Sequence, residues 1–224
     1  MGERGIMRSI VGAGLILRLG TAAAAAQCPR VGVYLKFEKP VFDKAARTLG
    51  KAVEQIFAPA GVELHWQLLD GRQPPGEFDR AVVIEMRGSC TPWRQQEPPA
   101  GSERLTLGWT RIEDGAVIPF CMVDCDAIAR SLARPSSMTG GAAGAYTRYW
   151  QLAARVLAHE LMHALLRSAE HYSSDCLRSP LRAVDLASPA RLKPAETAAL
   201  RRIGLAAPPI LAGKPEDKRP AGAQ

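Results

Sequence analysis

His159-Glu160-Leu161-Met162-His163, with His171 eight residues further on, organises the reading of this 224-residue chain. The chain has four histidines, and three of them fall in this window. Residues four apart on a helix stand one turn apart on the same face, roughly 5–6 Å between Cβ atoms. Both imidazoles can then reach one cation. The flanks, Tyr149 to Ala158 and Ala164 to Arg167, are rich in Ala and Leu and free of Gly and Pro, so they favour a helix. The run is apolar nearly all round, the pattern of a helix buried on most faces. Two histidines and a glutamate inside such a helix need compensation, because a buried polar group without a partner costs several kcal/mol. A metal ion supplies it. The bland alternative makes His159 and His163 hydrogen-bonded core residues and Glu160 a surface residue. A structural zinc is the other alternative, but such sites are closed tetrahedra and often rich in Cys, whereas catalytic sites keep three protein ligands and an open position. Three histidines beside a glutamate fit the catalytic pattern.

The N-terminus suggests export. Arg4 and Arg8 precede the short apolar run Ile10 to Leu17, and Ala22 to Ala26 offer small residues for cleavage before Gln27, so residues 1–26 are expected to be a signal peptide. The run is shorter than the ~20 residues that span a bilayer, and no membrane span is expected in the mature chain. Export makes disulfides plausible among Cys28, Cys90, Cys121, Cys125 and Cys176. Their odd number leaves at least one thiol over or paired between chains. The net charge is +7, and residues 1–26 hold Arg4, Arg8 and Arg18 against Glu3, which leaves +5 for the rest. No basic cluster is interleaved with aromatics, which argues against a nucleic-acid partner.

The chain between these features reads as alternating elements. Val31 to Phe37 is β-rich and alternating, a strand. Ala45, Ala46, Leu49, Val53, Ile56 and Phe57 repeat at helical spacing and predict a helix over 42–57, ended by Pro59 and Gly61. Strands are expected over 62–69 and 80–87. Leu105 to Ile112 and Ala116 to Val123 flank Glu113-Asp114-Gly115 as a β-hairpin. A short helix is expected near 127–133, a Gly-rich loop over 136–144, then the long histidine-bearing helix. Regular structure should end past residue 168, and a final helix is expected over 191–203, with Pro194 in its first turn. The segment 204–224, with four prolines and little to pack, reads as a disordered tail. The order implies one α+β domain over 27–203, with a mixed sheet, an N-terminal helix and the metal in a cleft beneath a sheet edge.

With the HExxH motif on a buried helix preceded by this strand order, the chain resembles the zincin metallopeptidases, and within them the metzincins. The specific part of the resemblance covers residues 156–178. The family pattern continues as HExxHxxGxxH with a Met-containing turn. Here its Gly falls on Leu166 and its third His on Ala169, His171 comes two residues late, and no methionine follows Met162. The segment His171 to Arg178 is similar to uncharacterised bacterial exported HExxH proteins with a late His, and Leu177 stands at the position of their Met. The resemblance implies one Zn²⁺ held by His159, His163 and His171, with Glu160 as general base toward a zinc-activated water, and a peptide or protein substrate. Glu170, Asp175, Asp185 and Cys176 are rivals for the third ligand, and Asp175 and Asp185 are also candidate partners of the ligand imidazoles. Tyr146, Tyr149 and Tyr172 offer hydroxyls toward an oxyanion, with ordinary packing as the alternative. His65, between Leu64 and Trp66, is expected to be structural. Two further functions share the zinc: an amidase acting on cell-wall peptides, and a zinc-bearing domain that binds a partner without catalysis.

Overall fold

Val31, Val33 and Leu35 alternate with Gly32, Tyr34 and Lys36, and the first set is buried while Tyr34 and Lys36 face outward. That alternation builds the first strand, β1 (Arg30–Phe37), of a computed structural model that describes residues 28–69, 76–91, 105–132, 141–171 and 190–203. The helix α1 (Asp43–Phe57) buries Ala45, Leu49, Val53, Ile56 and Phe57, five of the six residues whose spacing predicted it, while Ala46 is half-buried. A 3₁₀ turn, Ala58–Ala60, carries Pro59 and ends at Gly61, whose φ of 68° is the left-handed conformation that Gly adopts without penalty. Strands β2 (Glu63–Leu68), β3 (Arg80–Arg87), β4 (Gly108–Glu113) and β5 (Ala116–Asp124) follow.

The sheet order is β2-β1-β3-β5-β4. The β2, β1, β3 and β5 strands are parallel, and β4 pairs antiparallel to β5 at one edge, so the sheet is mixed as expected. Asp114 and Gly115 both have positive φ, 51° and 75°, and form the two-residue turn that the Asp-Gly pair dictates. The register slips between Thr110 and Ile112, opposite the stretch of β5 that holds Pro119. A proline has no N–H for the ladder and sits at such irregularities.

Among the described residues three further helices follow: α2 (Cys125–Leu132), α3 (Gly141–Leu166) and α4 (Pro194–Ile203). The α3 helix starts at Gly141, so the end of the expected 136–144 loop is helical; Ala142, Ala143 and Ala145 are strong helix formers and outweigh two glycines. From Leu152 to Leu165 every residue of α3 is buried, between the sheet and its neighbouring helices. At the α4 start the Glu196 carboxylate accepts a 2.7 Å hydrogen bond from the Lys193 backbone N–H, and Pro194 fills the first helical position. Cys90, past the end of β3, is bonded to Cys125 at the start of α2, while Cys28 and Cys121 are free thiols. The expected signal peptide, the tail 204–224 and Cys176 lie outside the described residues. Among those residues no helix is long and apolar enough to cross a membrane.

Candidate metal centre

The C-terminal turns of α3 carry the motif. His159 and His163 are each 7 % exposed and Glu160 is 5 % exposed, so all three are inside the fold. The helix ends in a Schellman turn. Leu166, where the family pattern has Gly, is still helical, and the left-handed residue is the next one, Arg167, with φ 50°. The Ser168 N–H then returns to the His163 carbonyl at 3.2 Å. The same turn brings the Ser168 carbonyl to 2.7 Å from His163 Nδ1. A carbonyl only accepts, so Nδ1 carries the proton and Nε2 is left with a free lone pair. The turn also directs the chain back toward the helix, and His171 arrives beside the other two rings. Ring centroids are 4.7 Å apart for His159 and His163, 5.3 Å for His159 and His171, and 4.9 Å for His163 and His171.

The donor set fits a metal ion. His159 Nε2 and His163 Nε2 face each other at 3.1 Å. Two nitrogens bound to one tetrahedral zinc at about 2.05 Å would stand about 3.3 Å apart. One ligand atom from each of the three histidines lies within 4.8 Å of the others, and among the described residues this is the group able to hold a metal. His171 is exposed, so the group opens to solvent on that side. Burial holds the His163 imidazole below its usual range, with the nearby His171 adding to the effect and the Ser168 bond opposing it. A neutral imidazole is the form that ligates.

Glu160 faces β4 rather than bulk water. Its Oε2 accepts a 2.6 Å hydrogen bond from Thr110 Oγ1. Burial pushes its carboxyl up to about 7, although the Thr110 bond opposes the shift. Cys121, paired with Thr110 across the β4–β5 ladder, is 3.5 Å from the Glu160 backbone oxygen. Burial raises its thiol to about 12, so it stays protonated and can donate.

The structure therefore brings His159, His163 and His171 together, with Glu160 next to His159 on α3 and bonded to Thr110 of β4. Glu170 does not join the group. Asp175, Asp185, Cys176 and Tyr172 lie outside the described residues. Tyr149 is fully buried, and its hydroxyl donates at 3.4 Å to the Cys125 carbonyl, so it is a packing residue. His65 is on β2, at the opposite edge of the sheet from β4, against the ring of Phe78. Thr110, Cys121, Gly108 and Ser168 were not legible as site residues. Their roles come from two strands and a turn that carry no motif.

No family model matches this chain, and no curated protein matches it. Among solved structures, the crystal structure of archaemetzincin from Methanopyrus kandleri is similar to it over 81 % of this chain and 98 % of that one, at 13 % identity and a TM-score of 0.45. A likeness at that level assigns no role to any residue here.

Proposed function

We propose that the chain is an exported zinc-dependent peptidase of zincin type, with His159, His163 and His171 as the ligands of one zinc ion and Glu160 as general base. The observation that carries the reading is the convergence of three imidazoles beside a buried carboxylate that is not one of the ligand groups. All-imidazole donors suit zinc and its transition-metal neighbours. Zinc held there supplies Lewis acidity toward a substrate carbonyl and acidifies water.

The rest is done by the chain itself. Glu160 is buried, and in the metal-free chain burial raises its carboxyl to about 7; a cation on the three histidines would act against that shift and favour the carboxylate, the form that works as a base. It takes a proton from the attacking water and returns it to the leaving amine. The Ser168 carbonyl holds His163 in the tautomer that leaves Nε2 free. The exposed ring of His171 marks the side from which a peptide can enter. A Cys90–Cys125 disulfide fits an oxidising compartment and so supports export.

The decisive experiment measures cleavage of a broad peptide library together with zinc content. Glu160→Gln should lower hydrolysis by about 10²–10⁴ while zinc stays at one per chain. A wild-type protein that holds zinc and cleaves no peptide would reduce the reading to a binding domain. A variant as active as the wild type would remove Glu160 from the chemistry.

A further inference from the structure

Thr110 grips Glu160 from a neighbouring strand. Its hydroxyl lies 2.6 Å from Glu160 Oε2 and 3.2 Å from the Glu160 backbone oxygen. A threonine hydroxyl has one proton, and the closer acceptor, the carboxyl oxygen, takes it. The backbone oxygen is then left to the Cys121 thiol at 3.5 Å. Thr110 and Cys121 are directly opposite each other in the β4–β5 ladder, so one cross-strand pair holds both the carboxylate and the main chain of a single residue.

The second oxygen of the carboxylate meets a gap left by a glycine. A Cβ built at Gly108 would lie 3.1 Å from Glu160 Oε1, 2.7 Å from Val156 Cγ1 and 3.0 Å from the Met122 backbone oxygen. A side chain here would press on the carboxylate and on α3 together. Gly108 and Thr110 are two apart on β4, so they share one face of the strand. That face is the one α3 packs against.

We infer that Thr110 is a positioning residue: its hydroxyl fixes Oε2 of Glu160, and the bare backbone of Gly108 leaves room for Oε1 as the oxygen that exchanges the proton. This rests on the peptidase reading above and adds to it the part played by the edge strand. The β-branched side chain of Thr110 has few χ1 rotamers open to it, which suits a fixed hydrogen bond.

Two variants separate the hydroxyl from the shape. Thr110→Val keeps the volume and loses the donor, and Thr110→Ser keeps the donor. In zinc-loaded protein with a peptide substrate, Thr110→Val should lower kcat by about ten- to a hundred-fold, with KM and zinc content unchanged, and Thr110→Ser should recover most of the loss. In metal-free protein labelled with ¹³C at the glutamate carboxyl, the Glu160 resonance is the one missing from Glu160→Gln. It should move in Thr110→Val and stay in Thr110→Ser. A Thr110→Val enzyme with wild-type kcat, or a Thr110→Ser enzyme as impaired as it, overturns the assignment. If the wild type cleaves no peptide, the peptidase reading falls by itself. The resonance still decides this one, and a signal unmoved in Thr110→Val sinks it.

Discussion

Glu160 is a carboxyl in a place where carboxylates are costly, and its titration gives the pH behaviour of the metal-free protein. Its folded value of about 7 stands above the ordinary 4.5, so between these values the unfolded chain carries fewer protons than the folded one. The stability this group contributes is complete below pH 4.5 and declines as the pH rises to 7. At about 1.4 kcal/mol per unit the change is on the order of 3 kcal/mol. His163, held below its usual range, acts in the opposite sense, so the comparison needs Glu160→Gln as the reference. Under chelator, urea unfolding should show the variant gaining on the wild type as the pH rises from 4.5 to 7.5. Parallel stability curves would refute the raised value. His171 bears a different prediction. It is the exposed member of the trio, and His171→Ala should lower zinc affinity sharply, read by competition with a chelator, while the metal-free fold keeps its melting temperature. Full zinc occupancy in that variant would remove the third ligand.

At the scale of elements, the end of α3 does the work that a sequence motif would otherwise advertise. Arg167 takes a left-handed conformation that costs a non-glycine residue roughly 1–2 kcal/mol. The turn is kept because Ser168 satisfies the His163 carbonyl and the His163 ring at once. Arg167→Gly should therefore raise stability by about 1 kcal/mol in chemical denaturation, with zinc affinity unchanged. A loss of stability would show that the Arg167 side chain contributes more than its backbone costs. The late position of His171 has its physical account here too. The helix runs through Leu166, and the chain then spends Arg167 to Glu170 on the reversal that places His171 beside the other rings. Spacing alone could nominate His171. The reversal that makes it a neighbour depends on a backbone conformation for which Arg is no signal. The strands, by contrast, were plain from alternation in β1 and from the Asp-Gly turn between β4 and β5.

Across the whole molecule, one sheet with its helices ties the site to distant parts of the chain. The Cys90–Cys125 bond closes a 35-residue span and anchors the start of α2 to the end of β3. Replacing both cysteines with Ser should cost about 3–4 kcal/mol by loop-closure entropy, measured by urea unfolding. A variant of unchanged stability would mean that the span is already ordered in the unfolded chain. The pairing itself was beyond the sequence, because five cysteines permit many connectivities and only packing selects one. The sequence by itself determined the helix that carries His159, Glu160 and His163, since a 3.6-residue period places those side chains without reference to anything distant. It also determined the hairpin and the α+β order. Only the tertiary structure decided that β4 lies against that helix, that Thr110 bonds Glu160, and that Cys121 stands behind it. Those contacts join residues 39 and 50 positions apart. No local period encodes such a distance, and the packing of α3 on the sheet does.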